Sequence, residues 1–160
     1  MNVFIRKMKR KDIKAVENIA RIAWHTTYDG IIPRDVQDNF LKSAYSESMM
    51  KKRMKKSIFF VSEAEDEVVG FAQFTPLENG KTGLTAIYLY PEYQGKGIGT
   101  ALLDEGIRSL GLVNEIHLNV ERDNHPARRF YEAKGFEVVT EFTEDFGGHV
   151  LNTVQMVLKI

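Results

Sequence analysis

Two stretches of the chain combine residue types at spacings that can do chemistry. The first is Tyr93-Gln94-Gly95-Lys96-Gly97-Ile98-Gly99-Thr100, with three glycines in five positions. Inside a helix each would cost about 1 kcal/mol relative to Ala, so something must offset them. At a helix N-terminus, backbone free of side chains lets several N–H groups converge on one anion, backed by the positive end of the helix dipole. Phosphate or pyrophosphate is the natural guest, to which Lys96 can add a charge and Thr100 a hydroxyl. The same glycines also suit a tight strand-to-helix turn that only permits close packing, and the turn alone does not decide between the two. The P-loop spacing is absent, and G-x-G-x-x-G fails because the glycines here run G-x-G-x-G. Glu121 can still imitate a ribose-binding acid, which leaves a nicotinamide ligand open.

The second stretch holds Asn124 and Tyr131, seven residues apart. On a helix they share one face, about 10 Å apart along the axis, which suits one extended ligand. Asn124 reads equally well as a helix N-cap, and Tyr131 as a core aromatic. A phenol with the usual pKa of about 10 is protonated at neutral pH and can donate that proton.

Periodicity supplies the elements that must position these groups. Val3-Phe4-Ile5-Arg6 reads as a strand. Ile13, Val16, Ile19, Ala20 and Ala23 then recur at helical spacing after Asp12, a candidate N-cap, and the helix runs to about Tyr28 before Gly30. Two more helices follow, one from Pro33 through Val36, Phe40 and Leu41, the other around Ser48 to Lys55. Ile58–Val61, Val68–Phe74 and Leu84–Tyr90 read as a meander of strands, with an acidic turn from Glu63 to Glu67. Ile98 to Leu110 is a helix, Ile116 to Val120 a strand, and Asn124 to Lys134 a helix ended by Gly135. Phe136–Phe142 and Val150–Leu158 finish the chain as two strands around Gly147-Gly148. The order predicts an α/β (α+β) domain with a mixed sheet and one late strand-helix-strand unit.

Composition bounds the rest. At 160 residues, with no repeat or linker, the chain reads as one domain, and 10 Phe, 6 Tyr and 1 Trp supply a sizeable core. Zero cysteines exclude disulfides, cysteine-ligated metals and a Cys nucleophile. Twenty-two Lys plus Arg against 22 Asp plus Glu leave no global field for nucleic acid or an anionic membrane, so any anion must be held locally. With no apolar span or signal peptide in view, the expected location is cytoplasmic. His25, His117, His125 and His149 lack metal-ligand spacing, so no metal is expected. Lys51-Lys52-Arg53 with Lys55-Lys56, interleaved by Met50 and Met54, reads as the solvated face of an amphipathic helix.

Gln94-x-x-Gly97-x-Gly99 resembles the pyrophosphate motif of the GCN5-related N-acetyltransferases (GNAT), and it follows a strand ending in Leu89-Tyr90-Pro91. Downstream, Asn124, Ala127, Phe130-Tyr131 and Gly135-Phe136 resemble the family's next signature. The resemblance covers residues 58 to 160 well and the first 57 only in pattern. It implies a single domain over 1–160, with acceptor-side helices in 1–57 and the cofactor core in 58–160. It also implies a seven-stranded, mostly antiparallel sheet with helices on both faces and a splayed pair of parallel central strands.

The cofactor implied is acetyl-coenzyme A. Backbone at Ile87, Tyr88 and Leu89 would bind its pantetheine arm as an added strand, and Gly95, Lys96, Gly97, Ile98, Gly99 and Thr100, after Gln94, would cradle its pyrophosphate. Asn124, with Ala127 beside it, would hold the arm, and Tyr131 would protonate the departing thiolate. For the general base, some relatives carry a Glu where this chain has Asn119, which cannot serve, so a carboxylate acting through water is expected, with Glu121 the candidate. The acceptor implied is a small primary amine, by weaker resemblance a polyamine such as spermidine, with a protein N-terminus or lysine as competitor. A non-catalytic coenzyme A or nucleotide module is the alternative of another class. Trp24, Tyr28 and Asp29 are candidate acceptor-pocket residues, although Trp24 also reads as core. The pattern leaves room for a homodimer.

Overall fold

The computed structural model describes residues 1–160. The elements are β1 (Val3–Lys7), α1 (Ile13–Tyr28), α2 (Arg34–Ala44), α3 (Glu47–Lys56), β2 (Ile58–Ala64), β3 (Glu67–Phe74), β4 (Lys81–Leu89), α4 (Ile98–Leu110), β5 (Glu115–Glu121), α5 (His125–Ala133), β6 (Glu137–Phe146) and β7 (His149–Lys159). One seven-stranded sheet has the order β1-β2-β3-β4-β5-β7-β6, and every pair is antiparallel except β4 with β5. The mixed sheet and the β4-α4-β5 unit are as expected.

Two apolar layers sandwich the sheet. On one face Ile98, Leu102 and Leu103 of α4 pack with Phe60, Phe74, Ile116 and Met156. On the other, Val16, Ile19, Ala20 and Trp24 of α1, with Met50 of α3, pack on Phe59, Val61 and Phe71. Each large side chain contributes roughly 1.5–3 kcal/mol on burial.

Several element ends differ from expectation for physical reasons. Glu65 and Asp66 both take left-handed backbone, φ 53° and 66°, and close β2–β3 as a two-residue turn, so the acids flanking them belong to strands. β6 extends to Phe146 because it is an edge strand, which tolerates charged residues that stay exposed. Asp12 does not cap α1 with its side chain; its carboxylate accepts from the Arg6 guanidinium (2.8 and 2.9 Å) and the Lys9 amide (2.8 Å). Arg53 leaves the solvated face assigned to the basic run. It stands over the Tyr45 and Phe59 rings and donates to Ala44 O at 2.9 Å, while Lys52, Lys55 and Lys56 stay exposed.

α4 lies so close to the sheet that a Cβ on Gly106 would stand 2.2 Å from the Phe74 ring. Gly106→Ala therefore reverses the usual gain of about 1 kcal/mol for Gly→Ala in a helix and lowers stability by roughly 1–3 kcal/mol. Urea unfolding reads the sign directly. A more stable variant would contradict the close approach.

Candidate active site

The site begins where two parallel strands part. β4 and β5 pair only through Lys81↔Glu115, Thr82↔Ile116 and Gly83↔His117, although β4 continues to Leu89 and β5 to Glu121. Just past the last pair, Phe74 opposes Leu84 and Gln73 opposes Ala86, so Thr85 is an extra residue in β4. Such a bulge bends its strand, and here the bend opens a wedge between β4 and β5. Tyr90 donates its amide to Val69 O at 3.0 Å, on the β3 side. By alternation along the strand, the amides of Ile87 and Leu89 point into the wedge and that of Tyr88 points at β3. Of the three expected contacts, the backbone of Ile87 and Leu89 is thus aimed at the opening, while the Tyr88 side chain packs 5.8 Å from the Phe71 ring.

Beyond β4 a short turn over Pro91–Tyr93 leads into the glycines. Gly97 is the N-cap of α4 with φ 82°, Gly95 has φ 74°, and a Cβ at either would meet nothing within 4 Å. The α4 amides reach a carbonyl only from Ala101, which donates to Gly97 O at 3.1 Å, and no side chain caps this end. The amides of Ile98, Gly99 and Thr100 are the orphan donors every helix start leaves. Gln94, Gly95, Lys96 and Gly97 are exposed around them, while the Ile98 side chain is sunk in the core. Gly99 serves packing instead, because its Cβ would stand 3.3 Å from the Phe130 ring of α5. Close packing thus accounts for Gly99, while Gly95 and Gly97 leave open backbone before the uncapped helix start.

At the far end of the wedge Asn124 caps α5, accepting the Ala127 amide at 3.3 Å, and stays buried. Tyr131 is buried between Phe130 and Phe136, each ring 5.6 Å away. Burial, aided by the neighbouring Tyr28 phenol, pushes the Tyr131 hydroxyl well above its usual pKa, so it stays protonated. The Tyr28 hydroxyl is raised by burial too, in part offset by hydrogen bonding with Asn124 and Tyr88, and the Glu121 carboxylate lies close by. Glu121 is only 6 % exposed; Oε2 accepts the Asp123 amide at 2.6 Å, and no basic side chain pairs with it. Its side chain lies on the α1 face of β5, opposite Leu118 and Val120 in the α4-side core, away from a dinucleotide seated on the α4 turn.

The wall over this end is aromatic. Trp24 is buried, 4.6 Å from the Tyr28 ring, 4.7 Å from Phe40 and 5.9 Å from Phe146. It ties α1 and α2 to the terminal hairpin, and its Nε1 has no hydrogen-bond partner. Asp29 is half exposed, but Arg34 Nε (3.0 Å) and Gln37 Nε2 (3.0 Å) already donate to it, and Arg34 lowers its pKa. Residues 29–34 and His149 border a cleft of about 490 Å³ between the α1–α2 turn and the hairpin. Residue spacing gives no sign of the Thr85 bulge, of Gln37, or of Glu144 and Phe146, which lie beyond the strand expected to end at Phe142. No group of three or more His, Asp or Glu is placed to hold a metal, and no helix is long and apolar enough to cross a membrane.

The model of the Acetyltransferase (GNAT) family matches residues 16–136, so the match begins inside α1, earlier than the sequence motifs suggest. A Spermidine N(1)-acetyltransferase of Thermoplasma acidophilum is 30% identical over 155 residues, 91% of this chain and 95% of that protein. The Uncharacterized N-acetyltransferase YuaI of Bacillus subtilis is 34% identical over 159 residues, 95% of this chain and 90% of that protein. The crystal structure of the PaiA N-acetyltransferase from Thermoplasma acidophilum in complex with coenzyme A superposes with a TM-score of 0.85 at 28% identity, covering 100% of both chains.

Gly97→Val puts a branched side chain at left-handed backbone in the mouth of the turn. Titration calorimetry should show at least tenfold weaker coenzyme A binding, with the circular dichroism of the fold retained. Unchanged affinity would remove the turn from the binding surface.

Proposed function

The chain belongs to the GNAT family of acetyltransferases, and from that premise we propose that it transfers the acetyl group of acetyl-coenzyme A directly to a primary amine, a polyamine or a similar small amine. The observation that carries this is the wedge behind the Thr85 bulge, with the Ile87 and Leu89 amides on one wall and the orphan amides of Ile98, Gly99 and Thr100 at its mouth. An extended amide-bearing arm fits the wall as an added strand, and its pyrophosphate fits the helix start. A chain of zero net charge needs such local capture of an anion.

Acetyl-coenzyme A supplies an acetyl group activated as a thioester. The Leu89 amide would polarise its carbonyl as an oxyanion-hole donor. Tyr131, held protonated by burial, would donate to the sulfur, whose thiol has a pKa of about 8.5. The acceptor arrives as an ammonium of pKa ~10.4 and gives up two protons as the C–N bond forms and the C–S bond breaks. One leaves through water toward Glu121, and the other balances the proton that Tyr131 gives to sulfur. The absence of cysteine excludes an acetyl-Cys intermediate on this chain and favours direct attack. A polyamine acceptor is supported by the spermidine acetyltransferase of Thermoplasma acidophilum at 30% identity and by the unpaired Glu121 carboxylate beside Tyr28.

Thiol release from acetyl-coenzyme A with spermidine and a panel of amines tests the reaction. Coenzyme A binding with no turnover on any amine would leave a binding module and end the enzyme assignment. Tyr131→Phe should lower kcat at least tenfold while coenzyme A affinity stays within about twofold; unchanged turnover would remove Tyr131 as the acid. A general acid works only while protonated, and burial raises this one. The loss of kcat from its ionisation therefore lies above about pH 10, and a Tyr131-dependent fall below pH 9 would contradict the assignment.

A further inference from the structure

We propose that Glu144 on β6 reads a second positive charge on the acceptor, so that the site selects di- and polyammonium chains over monoamines. This rests on the acetyl-transfer reading and names the determinant of its substrate class.

Register supplies the geometry. Glu121 of β5 lies opposite Thr153 of β7, which lies opposite Phe142 of β6, so these three side chains share one face. Glu144, two residues beyond Phe142, is on the same face, and the buried Thr153 donates its hydroxyl to Glu144 Oε1 at 3.0 Å. Leu151 and Phe146 mark this face as the one that α1 covers with Trp24 and Tyr28. Two strand spacings and the two-residue offset put the Glu121 and Glu144 Cα atoms about 12 Å apart, and the Thr153 bond draws the Glu144 carboxylate back toward Glu121, to about 10 Å between the carboxylates. Amines joined by three or four methylenes sit about 5–6 Å apart at standard bond lengths. One such nitrogen can then stand near each carboxylate at about one hydrogen-bond length.

Charge points the same way. Glu121 is 6 % exposed, its Oε1 accepts no hydrogen bond, and neither it nor Glu144 is in an ion pair with any Lys, Arg or His. A buried carboxylate without a counter-charge is costly, and a bound ammonium offsets that cost. On the α1–α2 side Asp29 is taken by Arg34 and Gln37 and Asp38 by His25 at 2.7 Å, which leaves Asp35, exposed at the start of α2, as the unpaired carboxylate there. Glu144 is exposed, held at Oε1 by Thr153, and has no cation of its own.

The test compares butane-1,4-diamine with n-butylamine, by kcat/KM from thiol release and by titration calorimetry on the coenzyme A-loaded protein. Wild type should prefer the diamine at least tenfold, and Glu144→Gln, which keeps an acceptor for Thr153, should cut that ratio at least fivefold. A ratio is insensitive to a general loss of folded protein. Thr153→Val, which frees Glu144 from its hold, should lower the ratio by a smaller factor. No diamine preference in wild type, or the same preference in Glu144→Gln, overturns the proposal. If no amine is turned over, acetyl transfer fails as a reading while the calorimetric ratio still decides: Glu144-dependent diamine binding upholds the second-charge site, and its absence overturns it.

Discussion

One inserted residue, Thr85, organises this molecule. A regular β4 would stay paired with β5 along its whole length, and its inward backbone groups would be consumed by the sheet. The bulge bends β4 after Gly83↔His117, and the Ile87 and Leu89 amides are left without a strand partner. These donors line a half-exposed wall from Ile87 to Tyr90, where water or a ligand can meet them, and packed layers flank that wall on both sides. α4 is clamped to β3 at Gly106 and Phe74, and α1 is locked over the other face by Trp24, Phe40 and Phe146. The two apolar layers therefore do more than stabilise the chain. They keep a gap from closing.

The polar groups at the gap follow the same logic. Tyr28, Tyr88, Asn124, Glu121 and Tyr131 gather where the apolar layers meet, and burial drives the phenols toward their protonated forms. A protonated phenol and a carboxylate with no cation beside it make a donor and an acceptor in one small volume. That suits a reaction in which a sulfur gains a proton while a nitrogen loses protons. The anionic end of the ligand is met separately, by dipoles and orphan amides, as a chain of balanced charge requires.

What could be read from the sequence was what rests on local chemistry. The glycines around Gly97 and the pair Asn124 and Tyr131 are recognisable because helix starts and helix faces have fixed spacings. The wedge was reachable only through family resemblance, since nothing in Leu84-Thr85-Ala86 marks a bulge that exists by virtue of β3. Acidic residues misled twice. Glu65 and Asp66 form a two-residue turn without Asn or Gly, and β6 carries acids through a ten-residue edge strand. Arg53 reads as solvated in the sequence because Tyr45, Phe59 and Gln73, which receive it, are brought to it only by tertiary packing.

Amide hydrogen exchange of β4, followed residue by residue by NMR with and without saturating coenzyme A, tests most directly whether the wedge accepts the ligand as an added strand. Exchange at Ile87, Leu89 or both should slow at least tenfold, while Tyr88, already bonded toward β3, should change little. Exchange unaltered at both Ile87 and Leu89, with coenzyme A bound, would contradict the account.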